Sequence, residues 1–133
     1  MHLLALFSFI ATTIVAVPHN CYPRGEWWSP DYGHALDAVE DVCNTLADEF
    51  EPNETKYRCI NSNKGHLKFE FWTQNAKTGY ARVMEKSLCV HWLQLIVSGC
   101  WLGGTVTRDG WYYRADPNHG RCGSLDSVAR TTI

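Results

Sequence analysis

The sequence predicts an α+β fold: two helices packed on a three-stranded antiparallel sheet, in the order helix, strand, strand, helix, strand, stapled by disulfides. Three observations carry that expectation. Leu36, Val39, Cys43, Leu46, Ala47 and Phe50 recur at three- and four-residue spacing, the period of an amphipathic helix. From His66 to Trp72 the chain alternates, with Leu67, Phe69 and Phe71 on one side and His66, Lys68, Glu70 and Trp72 on the other. That is the period of a half-buried strand. Six cysteines, Cys21, Cys43, Cys59, Cys89, Cys100 and Cys122, all follow an apolar leader, and an even count in a short exported chain implies a disulfide framework.

The leader comes first in the chain. Leu3 to Val17 is uncharged and apolar, with small Ala16 near its end and Pro18 just beyond. It is short for a membrane span, which needs ~20 apolar residues, and no second such run follows. Residues 1–17 therefore read as a secretory signal peptide. Residues 18–133 read as one secreted domain without stable membrane insertion. No CxxC or CxxH pair occurs, so the cysteines point to bridges rather than structural zinc. Bridges of ~2–4 kcal/mol each would be a large share of the net stability of so small a core. The formal net charge is −2, which argues against nucleic-acid binding driven by phosphate neutralisation.

Ser29 and Pro30 offer a cap and first position for the first helix, which Pro52 would end. The acids Asp37, Glu40, Asp41 and Asp48 face away from its apolar stripe, as a solvated helix face requires. The sequon Asn53-Glu54-Thr55 follows in a polar loop and would suit N-glycosylation at Asn53. "KYRCINS" and "HLKFEFWTQ" flank the turn residues Asn63, Lys64 and Gly65, an antiparallel hairpin. "SLCVHWLQLIVSGCWLGG" reads as a second, largely buried helix whose polar stripe is Ser87, His91, Gln94 and Ser98; Gly103 and Gly104 break it. "GWYYRA" is the third strand, with Trp111 and Tyr113 on its core side, and "DPNHG" a turn with Pro117 at its second position. Residues 124–133 form a polar tail that can fray. Alternating element directions bring Cys43 level with Cys89 and Cys21 within reach of Cys100, which leaves Cys59 for Cys122. Six cysteines allow many other pairings.

"AVEDVC", "FEFW", "SLCVHWLQLIVSGCWLGG" and "GWYYRADPNHGRC" together carry a resemblance. The chain resembles a family of small secreted cysteine-rich fungal proteins that includes the shaggy ink-cap glycan-binding lectin. The shared features are a Cys-x(10)-Cys helix running into Gly-Gly, and an aromatic strand running into Asp-Pro-Asn-x-Gly-x-Cys. The resemblance spans Cys21 to Cys122 and implies the helix-strand-strand-helix-strand fold. For one branch it implies glycan recognition; many relatives look like effectors. A cysteine framework and a turn specify fold better than function, so no sugar contact is carried over.

The polar sheet face is the first candidate site. Its members are His66, Lys68, Glu70 and Trp72, joined by Arg58, Tyr112 and Arg114, with Asp116 and Asn118 at the turn. A sugar presents hydroxyls at its rim and C–H bonds on its face, so a lectin site pairs an aromatic platform with fixed donors and acceptors. The plain alternative is an ordinary polar face with cross-strand ion pairs, and a weak homodimer seam is a third reading. The same residues admit a ribonuclease-like enzyme, with His66 and Glu70 as acid and base. Four residue steps along the strand put those two about 13 Å apart, so His119 would have to fold in. Adjacent Trp27 and Trp28 form the second candidate, an exposed platform, against the reading that one closes the core and the other covers a disulfide. His34 and His91 read as surface or edge residues. No cofactor motif, oxygen-ligand loop of the calcium type or nucleophile elbow occurs. The expectation is a secreted, non-enzymatic glycan-binding protein, its partner a glycan or glycoprotein of a cell surface or wall. Its rivals are an effector or toxin acting on another organism's protein or membrane, then the ribonuclease.

Overall fold

The computed structural model describes Leu6, Ser8, Ile10, Ala11, residues 19–123 and residues 129–132. The signal-peptide reading, residues 1–17, falls almost wholly outside the described residues. The ordered elements are β1 (His19–Cys21), α1 (Tyr32–Leu46), β2 (Asp48–Phe50), β3 (Glu54–Asn61), β4 (Leu67–Asn75), β5 (Arg82–Met84), α2 (Lys86–Gly99), β6 (Gly104–Arg108), β7 (Trp111–His119) and β8 (Ala129–Thr132).

The fold is α+β with two helices on one face of an antiparallel sheet, but the sheet is wider than three strands. Its order is β1-β6-β7-β4-β3, and the short β8 pairs along the outer edge of β3. β2 and β5 make a separate two-stranded sheet. The extra central strand, β6, joins β7 through Asp109 and Gly110, whose φ angles are 51° and 75°. Two successive positive φ values give the primed hairpin turn that matches strand twist, and Asp-Gly is a favoured pair for it.

Phe69 and Phe71 of β4 and Tyr113 of β7 meet Val39, Val42 and Leu46 of α1 and Leu93 and Ile96 of α2 in one core. Trp28 closes the end of that core, its ring 5.4 Å from Phe69 and 6.3 Å from Phe71 between centroids. Its indole N–H donates to the carbonyl of Cys100 at 2.8 Å. The three disulfides are Cys21–Cys100, Cys43–Cys89 and Cys59–Cys122, the pairing that alternating element directions suggested. Among the described residues, no helix is long and apolar enough to cross a membrane.

Two boundaries differ from expectation. Helix α1 begins at Tyr32 behind Asp31 rather than Ser29, and it stops at Leu46, well short of Pro52. Asp31 ties the helix start to the β3–β4 turn, accepting from the backbone N–H of Asn63 at 2.6 Å and of Lys64 at 3.3 Å. After Ala47 the backbone extends and Asp48 takes φ 80°, so Phe50 reaches the core from a strand and packs edge-on against Trp111. Phe50 is buried either way, which is why its spacing could not distinguish helix from strand.

The second difference is in "DPNHG". Asp116, Pro117 and Asn118 continue β7, in register with Glu70, Phe69 and Lys68. Pro117 fits there because the β6–β7 pairing ends at Gly104 opposite Ala115, although the chain at Gly103 still passes close by. A Cβ on Gly103 would stand 2.6 Å from the Ala115 carbonyl and 2.9 Å from Pro117 Cδ, and its φ is 84°. A proline is tolerated at such an edge, where no ladder donor is missed.

Candidate functional site

Strand registry sets one row of side chains after another on the sheet face away from the helices. Residues directly opposite share a face, so Thr105, Arg114, Trp72 and Tyr57 form one row and Asp116, Glu70 and Cys59 the next. Asn118, Lys68 and Asn61 make a third row, Tyr112, Gln74 and Thr55 a fourth. The face is therefore built by four strands, two of which the sequence had shown to alternate.

The rows are cross-linked. Arg114 lies with Cζ 4.2 Å from the Trp72 ring centroid and 5.7 Å from that of Tyr22. Its Nη2 donates to Asp116 Oδ2 at 3.0 Å. Trp72 packs on Tyr57 at 5.1 Å between centroids. The Tyr57 hydroxyl donates to Glu70 Oε2 at 2.5 Å, while Asn118 Nδ2 donates to Glu70 Oε1 at 2.9 Å. Lys68 Nζ stands 3.8 Å from the same Oε1. Burial pushes the Tyr22 and Tyr112 phenols above their ordinary pKa. Burial opposes the charge of Arg114, but the Asp116 bond and the neighbouring phenols more than offset it, so its pKa rises.

Next to this network is a cleft of about 330 Å³ between β7 and the loop after β1, lined by Tyr22, Pro23, Arg24, Gly25, Arg114, Asp116 and Asn118. The loop is held in place because the backbone N–H of Tyr22 donates to the Gly103 carbonyl at 2.9 Å and Cys21 is bonded to Cys100. Tyr22 to Gly25 were not among the expected site residues. The only hint in the sequence was their place directly after a cysteine.

Of the expected residues, Lys68, Glu70, Trp72, Tyr112, Arg114, Asp116 and Asn118 share the open face. Arg58 does not. It is in register with Phe71, on the helix side, where Nη1 donates to Thr45 Oγ1 at 3.0 Å and Nη2 meets Asp41 at 3.3 Å. The phase of β3 was illegible because both of its faces mix polar and apolar residues. His66 is exposed in the turn before β4, and His119 is in register with Leu67, on the other side of the sheet from Glu70. The acid–base set of a ribonuclease is thus not assembled, and the Glu70 carboxylate is already held by three partners. Trp72 is half-buried under a guanidinium, so it is not a bare platform.

The glycan binding domain Y3 family model matches residues 36–122, well over half of the chain. The chain belongs to this family. A comparison with curated proteins finds none that matches. The Y3 match covers α1 from Leu36 onward, α2 and β2 to β7, and it bears out the resemblance read from the cysteine framework. It supports a lectin-like, glycan-binding function. Three disulfides in such a domain are consistent with an extracellular protein. The Tyr22–Gly25 wall of the cleft precedes the matched residues.

Proposed function

We propose that this Y3-family chain is a secreted, non-enzymatic lectin that takes cell-surface or cell-wall sugars into the cleft between β7 and the loop Tyr22–Gly25. The observation that carries the reading is the convergence of Arg114, Asp116 and Asn118 beside one wall of Tyr22, in a domain of a glycan-binding family. A carboxylate accepts from adjacent sugar hydroxyls, while the guanidinium and amide supply the complementary donor and acceptor. Tyr22 offers the apolar contact for the C–H face.

The task of Trp72 changes in this reading. With Arg114 stacked on it at 4.2 Å, it positions the guanidinium instead of touching sugar. Glu70 does the same for Asn118. Groups held in advance lose little freedom on binding, which is how a shallow cleft gains affinity.

A glycan array on the mature chain should show saturable binding, and Asp116→Ala should weaken it ~10-fold or more, as loss of a central polar contact does. An array silent across neutral and charged glycans would sink the reading.

A further inference from the structure

A second cleft opens further along the segment between β1 and α1. Its volume is about 310 Å³, and Trp27, Ser29, Tyr32, Val97, Ser98 and Trp101 line it over a floor of Trp28. Trp27 and Trp101 are 52% and 67% exposed, with ring centroids 5.4 Å apart and planes inclined at 45°. Two indoles left this bare on so small a domain mark an interaction site.

The pair is also fixed. The Trp28 backbone N–H donates to the Trp101 carbonyl at 3.4 Å, its indole to the Cys100 carbonyl at 2.8 Å, and Cys21–Cys100 locks the two chain segments together. The two chain segments that carry the exposed indoles are therefore fixed relative to each other ahead of any ligand.

We propose that this cleft is a second saccharide-binding site, for a neutral pyranose. The proposal rests on the glycan reading above for its ligand class, but on separate residues. None of the described lining residues carries a formal charge, so an anionic ligand finds no counter-charge and a cation finds only the indole faces. The hydroxyls of Ser29, Ser98 and Tyr32 border the aromatic surface, and a polyol with one apolar face needs that combination. A lipid surface would be better met by a protruding apolar patch flanked by bases than by a concave cleft without them. Two saccharide clefts make each chain bivalent, which strengthens attachment to a dense glycan surface beyond either site alone.

The test follows the indole N–H signals of the full mature chain by NMR during titration with methyl pyranosides of neutral hexoses and N-acetylhexosamines. The signals of Trp27 and Trp101 should shift saturably for at least one sugar, with Trp28 changing least. Trp101→Ala should weaken that response ~10-fold or more with little change in melting temperature, and Asp116→Ala should leave it intact. If the β7 cleft responds and Trp27 and Trp101 do not, this proposal fails alone. If neither cleft responds to any sugar and the array is silent too, both readings fall. Indole shifts produced by phosphatidylcholine vesicles or free choline but by no sugar would also overturn it.

Discussion

Phe71 and Trp72 are neighbours in β4, yet they belong to different kinds of structure. Phe71 is fully buried in the core under the helices, with Ala115 and the stem of Arg58 as its cross-strand neighbours. Trp72 points the other way, into a lattice of Arg114, Tyr57 and, one row on, Glu70 and Asp116, with Asn118 in the row beyond. The helix side is held by area removed from water, which any well-shaped hydrophobe can supply. The open side is held by directional contacts between particular atoms, each of which fixes where the next lies. The same strand thus carries a face that makes the domain stable and a face that makes it selective.

The sharpest way to break that comparison is to truncate both neighbours. Phe71→Ala should cost ~3–5 kcal/mol, the range for emptying a buried aromatic, and urea unfolding should show its midpoint falling steeply. Trp72→Ala should cost roughly 1–2 kcal/mol, within the ordinary range for single substitutions, while weakening glycan binding because Arg114 loses its support. Equal stability losses for the two would mean that the open face is a second core.

How much of this was legible beforehand depends on what each signal measures. The β4 alternation was plain because its core side is apolar from Leu67 to Phe71, and the partition of β7 into Trp111 and Tyr113 against Tyr112 and Arg114 was plain as well. Both helices announced themselves by spacing, and antiparallel alternation gave the disulfide pairing. β6 was missed although "TVTR" before Asp109-Gly110 has the composition and turn of a hairpin strand; the preceding helix and its Gly-Gly break drew the boundary too late. Arg58 was assigned to the wrong face because β3 has no purely apolar side. The Tyr22–Gly25 wall was invisible because a long-range disulfide, not a local pattern, places it. Trp27 and Trp28 could be separated only by the core that one of them closes.

Glu70 gives the next test, of smaller effect. It accepts from Tyr57 and Asn118 and neighbours Lys68, without entering the cleft. Glu70→Ala removes the part-buried acceptor that Tyr57 and Asn118 share and should cost ~1–3 kcal/mol. It should also weaken binding through Asn118, whereas Glu70→Gln, which keeps an acceptor, should recover part of both. Binding that is unchanged in Glu70→Ala would separate Asn118 from the site.

The smallest effect concerns pH. Burial raises the phenol pKa of Tyr22, Tyr112 and Tyr113 in the folded chain, against an unfolded value of ~10. The fold therefore favours the neutral phenols, binding more protons than the unfolded chain at alkaline pH. Their contribution to stability is fully present below pH ~10 and is lost as pH rises through the folded-state values. Tyrosinate absorbance from these three should then rise at higher pH in the folded chain than in the urea-unfolded chain. Tyr112→Phe, which removes an open-face phenol, should take one tyrosinate from that delayed rise. Tyr113 lies on the core side, so its ionisation should track global unfolding, while Tyr22 at the cleft wall should respond to a bound sugar. A single titration step at ordinary pH, with the fold intact, would mean that neither face shields its phenols.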